Sequence, residues 1–175
     1  MLKSIKPHTR GVFCLWDDGY IVLRTMHIKT KIPPPLVALT FGFLIYYTKD
    51  IFPKIEIRYE TIFGSFMIII GLTIILSAII LFKKYQTTIT PLNPSNSTKL
   101  ITDGIYKFSR NPMYLGLLLV LLGISIILNL AGGFFLIPLF ILYINLFQII
   151  PEENAMVDLF KDEFLEYKKN VRRWI

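Results

Sequence analysis

The chain has 175 residues, 54% of them hydrophobic and 18% charged, with a formal net charge of +7. An ordinary soluble domain is about 45–50% apolar and about 25% charged, so length and composition fit one membrane-embedded domain better than a soluble one. The lysines and arginines lie between apolar runs, a pattern of membrane topology rather than nucleic-acid binding, and the single cysteine, Cys14, excludes an intramolecular disulfide and a paired-cysteine metal site.

Residues 1–25 read as an N-terminal extension, either a peripheral arm or a stretch ahead of the native start. Met1 to Lys6 leads into no apolar core, so no cleavable signal peptide is expected. Cys14, Trp16, Asp17, Asp18 and Gly19 follow without a clear period, and Met26 offers a second start just before the first apolar run. His8 and His27 are isolated and read as surface residues. Residues 26–175 form the membrane domain.

Four apolar runs follow: Leu36 to Phe52, Ile62 to Phe82, Met113 to Leu130 and Phe134 to Ile150. A helix needs about 20 residues to cross the bilayer core. The second and third runs carry no charge. The first is short and interrupted by Lys49 and Asp50, which leaves a re-entrant segment open, and Pro138 is expected to kink the fourth. Only Ala131-Gly132-Gly133 separates runs three and four, which predicts an antiparallel helical hairpin. Gly64, Gly71 and Ala78 in run two, and Gly116 and Gly123 in run three, recur at seven-residue steps. That step keeps them on one helix face, where small residues allow close packing; room for a ligand is the alternative.

From Pro151 the character changes. Met156, Phe160, Phe164, Tyr167 and Val171 repeat at three-to-four spacing among charges, which predicts an amphipathic helix with Glu152 and Glu153 in its first turn. The expected fold is therefore all-α and polytopic, with about four transmembrane helices, a hairpin of the last two, and a cytosolic amphipathic tail. The segment before run one, the stretch from Lys83 to Pro112 and the tail are all basic. With four crossings they share one side, so both termini are expected in the cytosol of an inner or cytoplasmic membrane protein.

No catalytic triad, phosphate loop, zinc spacing or dinucleotide fingerprint is present. The unusual polar residues lie at the start of run three and the end of run four, and the expected hairpin brings Arg110, Asn111 and Tyr114 near Glu152 and Glu153. A guanidinium clamps a carboxylate by two parallel hydrogen bonds, and a carboxylate holds an ammonium, so the set fits a zwitterion. The same residues also read as an interfacial anchor, a helix-starting turn and an aromatic belt.

Gly104-Ile-Tyr106, Arg110-Asn-Pro-Met-Tyr-Leu-Gly116, Pro151-Glu-Glu153 and the ending with Phe160, Phe164, Tyr167, Val171, Arg173 and Trp174 resemble the isoprenylcysteine carboxyl methyltransferase family. That resemblance takes in its bacterial relatives and the similar phospholipid N-methyltransferases, and covers about Thr87 to Ile175. It implies a multi-helix membrane enzyme that uses S-adenosyl-L-methionine, with no metal. It implies Tyr106, Arg110, Asn111, Pro112, Tyr114, Gly116, Glu152 and Glu153 as cofactor-site residues. Catalytic roles would fall to Glu153, assisting an amine acceptor, and to Arg173 or its neighbour Arg172, facing the acceptor. Asn111 stands where the eukaryotic pattern has histidine; an amide keeps hydrogen bonding but carries no proton at neutral pH. The implied activity is methyl transfer to a lipid-like or membrane-embedded carboxyl or amine, with the bilayer and a lipophilic acceptor as partners. The alternatives are a sterol-type NADPH reductase and a non-enzymatic membrane scaffold or transporter subunit. Acceptor and oligomeric state are not legible.

Overall fold

The computed structural model describes residues 14–17, 20–23, 32–52, 55, 57–85, 99–128 and 130–175. The basic residues up to Lys31, the second start at Met26, both histidines, Asp18 and Gly19, Lys54, Glu56 and residues 86–98 lie outside them.

Before the helices, Cys14–Asp17 (β1) and Tyr20–Leu23 (β2) pair antiparallel, with Cys14 opposite Leu23 and Asp17 opposite Tyr20. This short hairpin is the one non-helical element among the described residues, and the fold class is all-α as expected. Four-residue strands are too short for alternation to stand out in sequence.

The body is helical. α1 is Pro34–Thr48, begun by prolines whose missing N–H costs nothing at a first turn. α2 is Glu60–Lys84, with Glu60 in its first turn and Lys83 and Lys84 in its last, each favourable to the helix dipole. A 3-10 turn at Gly104–Lys107 precedes α3, Pro112–Leu128. α4 is Leu130–Ile144, and α5 is Ile150–Asn170. A π-helical turn at Asn145–Ile149 joins α4 to α5 in one 41-residue helix. The sequence predicts a fresh helix start at Pro151, and the structure corrects this. The ring at 151 removes one backbone donor, and the wider turn just ahead of it lets the helix run on. α4 also continues through Pro138. Inside α5, Lys161 departs from helical geometry, at φ 47° and ψ −120°.

Among the described residues two helices, α2 and the continuous α4–α5, are long and apolar enough to cross a membrane; α1 and α3 are apolar but shorter. At about 1.5 Å per residue, the 15 residues of α1 reach only about 22 Å, against a core about 30 Å thick. What separates α2 from the core helix of a soluble protein is exposure. Only Gly64, Gly71 and Ala78 are buried in it, while Ile62, Phe66, Ile69, Leu76 and Ile80 are each more than half exposed. Such a face is stable against lipid and not against water.

α3 lies at the centre, against α2 on one side and α1 and α4 on the other. The α2–α3 contact is built on the glycine steps. A Cβ on Gly71 would sit 2.5 Å from the Gly116 carbonyl oxygen, and one on Gly123 would sit 2.5 Å from that of Gly64. The small residues therefore serve packing, as in close membrane-helix pairs, and leave no room for a ligand. On the other side, Phe41 and Ile45 of α1, Leu121 of α3, and Phe140 and Ile144 of α4 form the main core, with the Phe41 and Phe140 rings edge to face at 5.4 Å. The expected Ala131-Gly132-Gly133 connection is not a loop. α3 runs to Leu128 and α4 starts at Leu130, so these residues open α4, and the two glycines let it press on Thr48 of α1 and Ser125 of α3.

Candidate active site

The start of α3, the start of α5 and the chain's last residues meet at one end of the bundle. Pro112 opens α3 fully buried. Two residues on, the Tyr114 hydroxyl donates to a Glu152 carboxyl oxygen. Beside that pair, Glu153 forms ion pairs with three cations, two of which donate hydrogen bonds to it. Arg110 Nη2 is 2.9 Å from Oε1; Arg173 reaches Oε1 through Nε at 3.1 Å and Oε2 through Nη2 at 2.8 Å; Lys168 Nζ is 3.6 Å from Oε2. The Arg110 and Glu153 side chains are only 8% and 7% exposed. A pair this deep needs its remaining hydrogen-bonding capacity filled to offset desolvation, and most of it is.

Arg110 also holds the end of the chain. Its Nη1 donates to the carbonyls of Lys168 and Val171, both at 2.9 Å, and its backbone N–H donates to that of Arg172 at 3.0 Å. Asn111 Nδ2 donates to the Arg173 carbonyl at 3.1 Å. Thus Arg110 is a clamp on the chain's own terminus as much as a candidate ligand group, and the amide of Asn111 does the same work. The Tyr167 hydroxyl donates to the Tyr106 carbonyl at 2.6 Å, tying α5 to the 3-10 turn. Burial, followed by the nearby Tyr167 and Glu152, raises the Tyr106 phenol far above its ordinary range, so it stays neutral.

Of the residues singled out from sequence, Arg110, Asn111, Tyr114, Glu152, Glu153 and Arg173 come together, and Tyr106 and Pro112 flank them. Gly116 does not join them: it faces Gly71. Between the two terminal arginines, Arg173 joins the cluster, whereas Arg172 is exposed and contributes its carbonyl. Sequence reading missed the carbonyls of Lys168 and Val171, and Ser109, whose hydroxyl donates to the Arg173 carbonyl at 3.4 Å. The signal that could have found them was Val171 and Trp174, apolar residues in a charged terminus, which argue that the terminus docks.

Two side-chain polar atoms among the described residues are buried without a partner, Arg110 Nε and Asn145 Oδ1. The first leaves one N–H donor on the guanidinium that binds Glu153, whose chain neighbour Glu152 accepts from the Tyr114 phenol. Burial, with the charge of Glu153 next to it, raises the Glu152 carboxyl to about 8, well above the ordinary carboxylate range.

An apolar helical bundle with a charged cluster of this kind at one end fits a membrane methyltransferase. Residues 59–163 match the family model described as phospholipid methyltransferase, and the chain belongs to that family. It is 44% identical over 63 residues, 36% of this chain, to the whole of a Haemophilus influenzae protein described only as uncharacterized. It is 37% identical over 75 residues, 41% of this chain, to the protein-S-isoprenylcysteine O-methyltransferase of Schizosaccharomyces pombe, of which that match covers 30%. No solved structure matches.

Proposed function

We propose that this protein transfers a methyl group from S-adenosyl-L-methionine to a lipid-like or membrane-embedded acceptor at the bilayer surface. The observation that carries this reading is the buried cluster in which Glu152 with Tyr114 lies beside the Arg110–Glu153–Arg173 hub. Family membership supports it, as does the likeness to a yeast enzyme whose name states a methyl transfer.

In this reading the methyl carbon arrives already activated by the cofactor's sulfonium. The chain's own task is placement, since alignment of reacting groups supplies about 7–11 kcal/mol. Glu152 would hold the cofactor's ammonium, and the unpartnered Nε–H of Arg110 would be the donor for its carboxylate. Glu153, held by three cations, keeps Arg110 and Arg173 in register. A carboxylate acceptor needs no base. An amine acceptor reacts neutral and afterwards sheds its proton to solvent at the bilayer surface, since Glu152 and Glu153 are both committed. Four crossings, an antiparallel α3–α4 pair and both termini in the cytosol complete the reading, because the basic segments then share one side.

Calorimetric binding to the detergent-purified full chain tests it. S-adenosylhomocysteine should bind and NADPH should not. NADPH binding instead would favour a reductase, and binding of neither would favour a scaffold.

A further inference from the structure

A second group of charges gathers around Tyr85 and Asp103, next to the 3-10 turn, and methyl transfer makes no use of it. Lys84 ends α2, Lys99 follows the segment 86–98, and Lys107 ends the 3-10 turn. Three separate stretches of chain thus bring three lysines to one place, all within electrostatic reach of Asp103. Asp103 accepts a hydrogen bond from the Tyr85 hydroxyl. The Tyr85 ring in turn lies under two of the lysines, with Lys99 Nζ 4.5 Å and Lys84 Nζ 5.7 Å from its centroid. Three cations against one carboxylate leave two positive charges in surplus. The group has its own apolar support: Leu81 of α2 and Tyr85, which caps it, pack on Ile101, Tyr106 and Ala78, and Gly104 takes a positive φ of 58° where a Cβ would meet Leu81 at 2.8 Å. Phe108, next to Lys107, is 73% exposed.

An exposed phenyl ring beside surplus lysines at the end of a lipid-exposed helix matches the layered chemistry of a membrane surface, with acyl chains below and headgroup phosphates above. We propose that Lys84, Lys99 and Lys107, ordered around Tyr85 and Asp103, bind the phosphate of an anionic phospholipid headgroup, with Phe108 in the adjoining acyl region. The occupant is a lipid of the surrounding leaflet and not the methyl acceptor, so the proposal stands or falls apart from the methyl-transfer reading. Its selectivity is for net negative charge: a zwitterionic headgroup carries its own cation into a site already rich in them.

The test is native mass spectrometry of the detergent-solubilised full chain with phosphatidylglycerol, phosphatidylcholine or inorganic phosphate. Phosphatidylglycerol should be retained with about tenfold or greater preference over phosphatidylcholine, and inorganic phosphate should not displace it at equal concentration. The double variant Lys84→Gln/Lys107→Gln should lose that preference, whereas Lys49→Gln/Lys169→Gln, which removes the same charge elsewhere, should keep it. Asp103→Asn should strengthen retention, a gain that a folding defect does not produce. Equal retention of the two lipids, equal loss in both double variants, weaker binding in Asp103→Asn, or displacement by inorganic phosphate would each overturn the proposal.

Discussion

Glu152 and Glu153 are adjacent in sequence and opposite in circumstance. Glu153 is bound by Arg110, Arg173 and Lys168, while Glu152 accepts from Tyr114. Removing one partner of a buried pair costs about 3–5 kcal/mol, because the other charge stays behind unpaired. Arg110→Ala and Glu153→Gln are therefore expected to release the terminal residues as well as weaken cofactor binding. Limited trypsin digestion after Lys168, Lys169 and Arg172 should speed up in both. Glu152→Gln should leave the digestion pattern alone and still weaken S-adenosylhomocysteine binding tenfold or more, equivalent to about 1.4 kcal/mol. Glu166→Gln, exposed and outside the cluster, is the control. Parent-like binding in all three site variants, or an equal loss in the control, would return Arg110 to an interfacial anchor and the acids to a helix start. The residues of the cluster were legible in sequence because a charged and aromatic set stood out at the edges of apolar runs. Their pairing was not, because it depends on the terminus folding back onto Arg110, and backbone carbonyls carry no sequence signature.

At the scale of elements, α2 and α3 meet through glycine, and the contact has no slack. Gly71 and Gly116 each face the other's carbonyl, at 2.5 and 2.6 Å from an added Cβ. Even alanine must push the helices apart, and overpacking of this kind costs about 1–3 kcal/mol. Gly71→Ala and Gly116→Ala should each lower the midpoint of thermal unfolding in detergent, whereas Gly42→Ala, where a Cβ would meet Leu121 at an ordinary 3.6 Å, should not. Because Gly116 lies near the start of the helix that carries Tyr114, its substitution should also weaken cofactor binding through displacement of that helix. An unchanged midpoint in both variants would mean that the two helices are held by other contacts.

The whole molecule joins a lipid-exposed bundle to a polar cluster at one end, and its orientation is open to direct measurement. A reporter active only outside the cytoplasm, fused after Pro53, should give signal, and the same reporter after Ile175 should give none. The opposite result would invert the arrangement and put the cluster on the other face of the membrane. Deleting residues 1–25 should leave insertion and cofactor binding intact, since the main core draws on α1, α3, α4 and the π turn. A large loss of either would mean that the N-terminal stretch packs on the bundle.

The sequence by itself determined the apolar segments, the glycine steps and the residues of the polar cluster. These are set by local composition and by the 3.6-residue period, which every helix imposes on its own side chains whatever it packs against. Tertiary structure alone decided that α4 and α5 run on through a π turn, that Gly116 belongs to helix packing, that Arg173 and not Arg172 completes the hub, and that Glu153 is fully engaged while Glu152 is less so. Each depends on which distant groups arrive within hydrogen-bond or van der Waals reach, Arg110 on Glu153 across 43 residues of chain and Asn111 on the Arg173 carbonyl across 62. Distances of that kind follow from the packing of whole helices, and no local pattern encodes them.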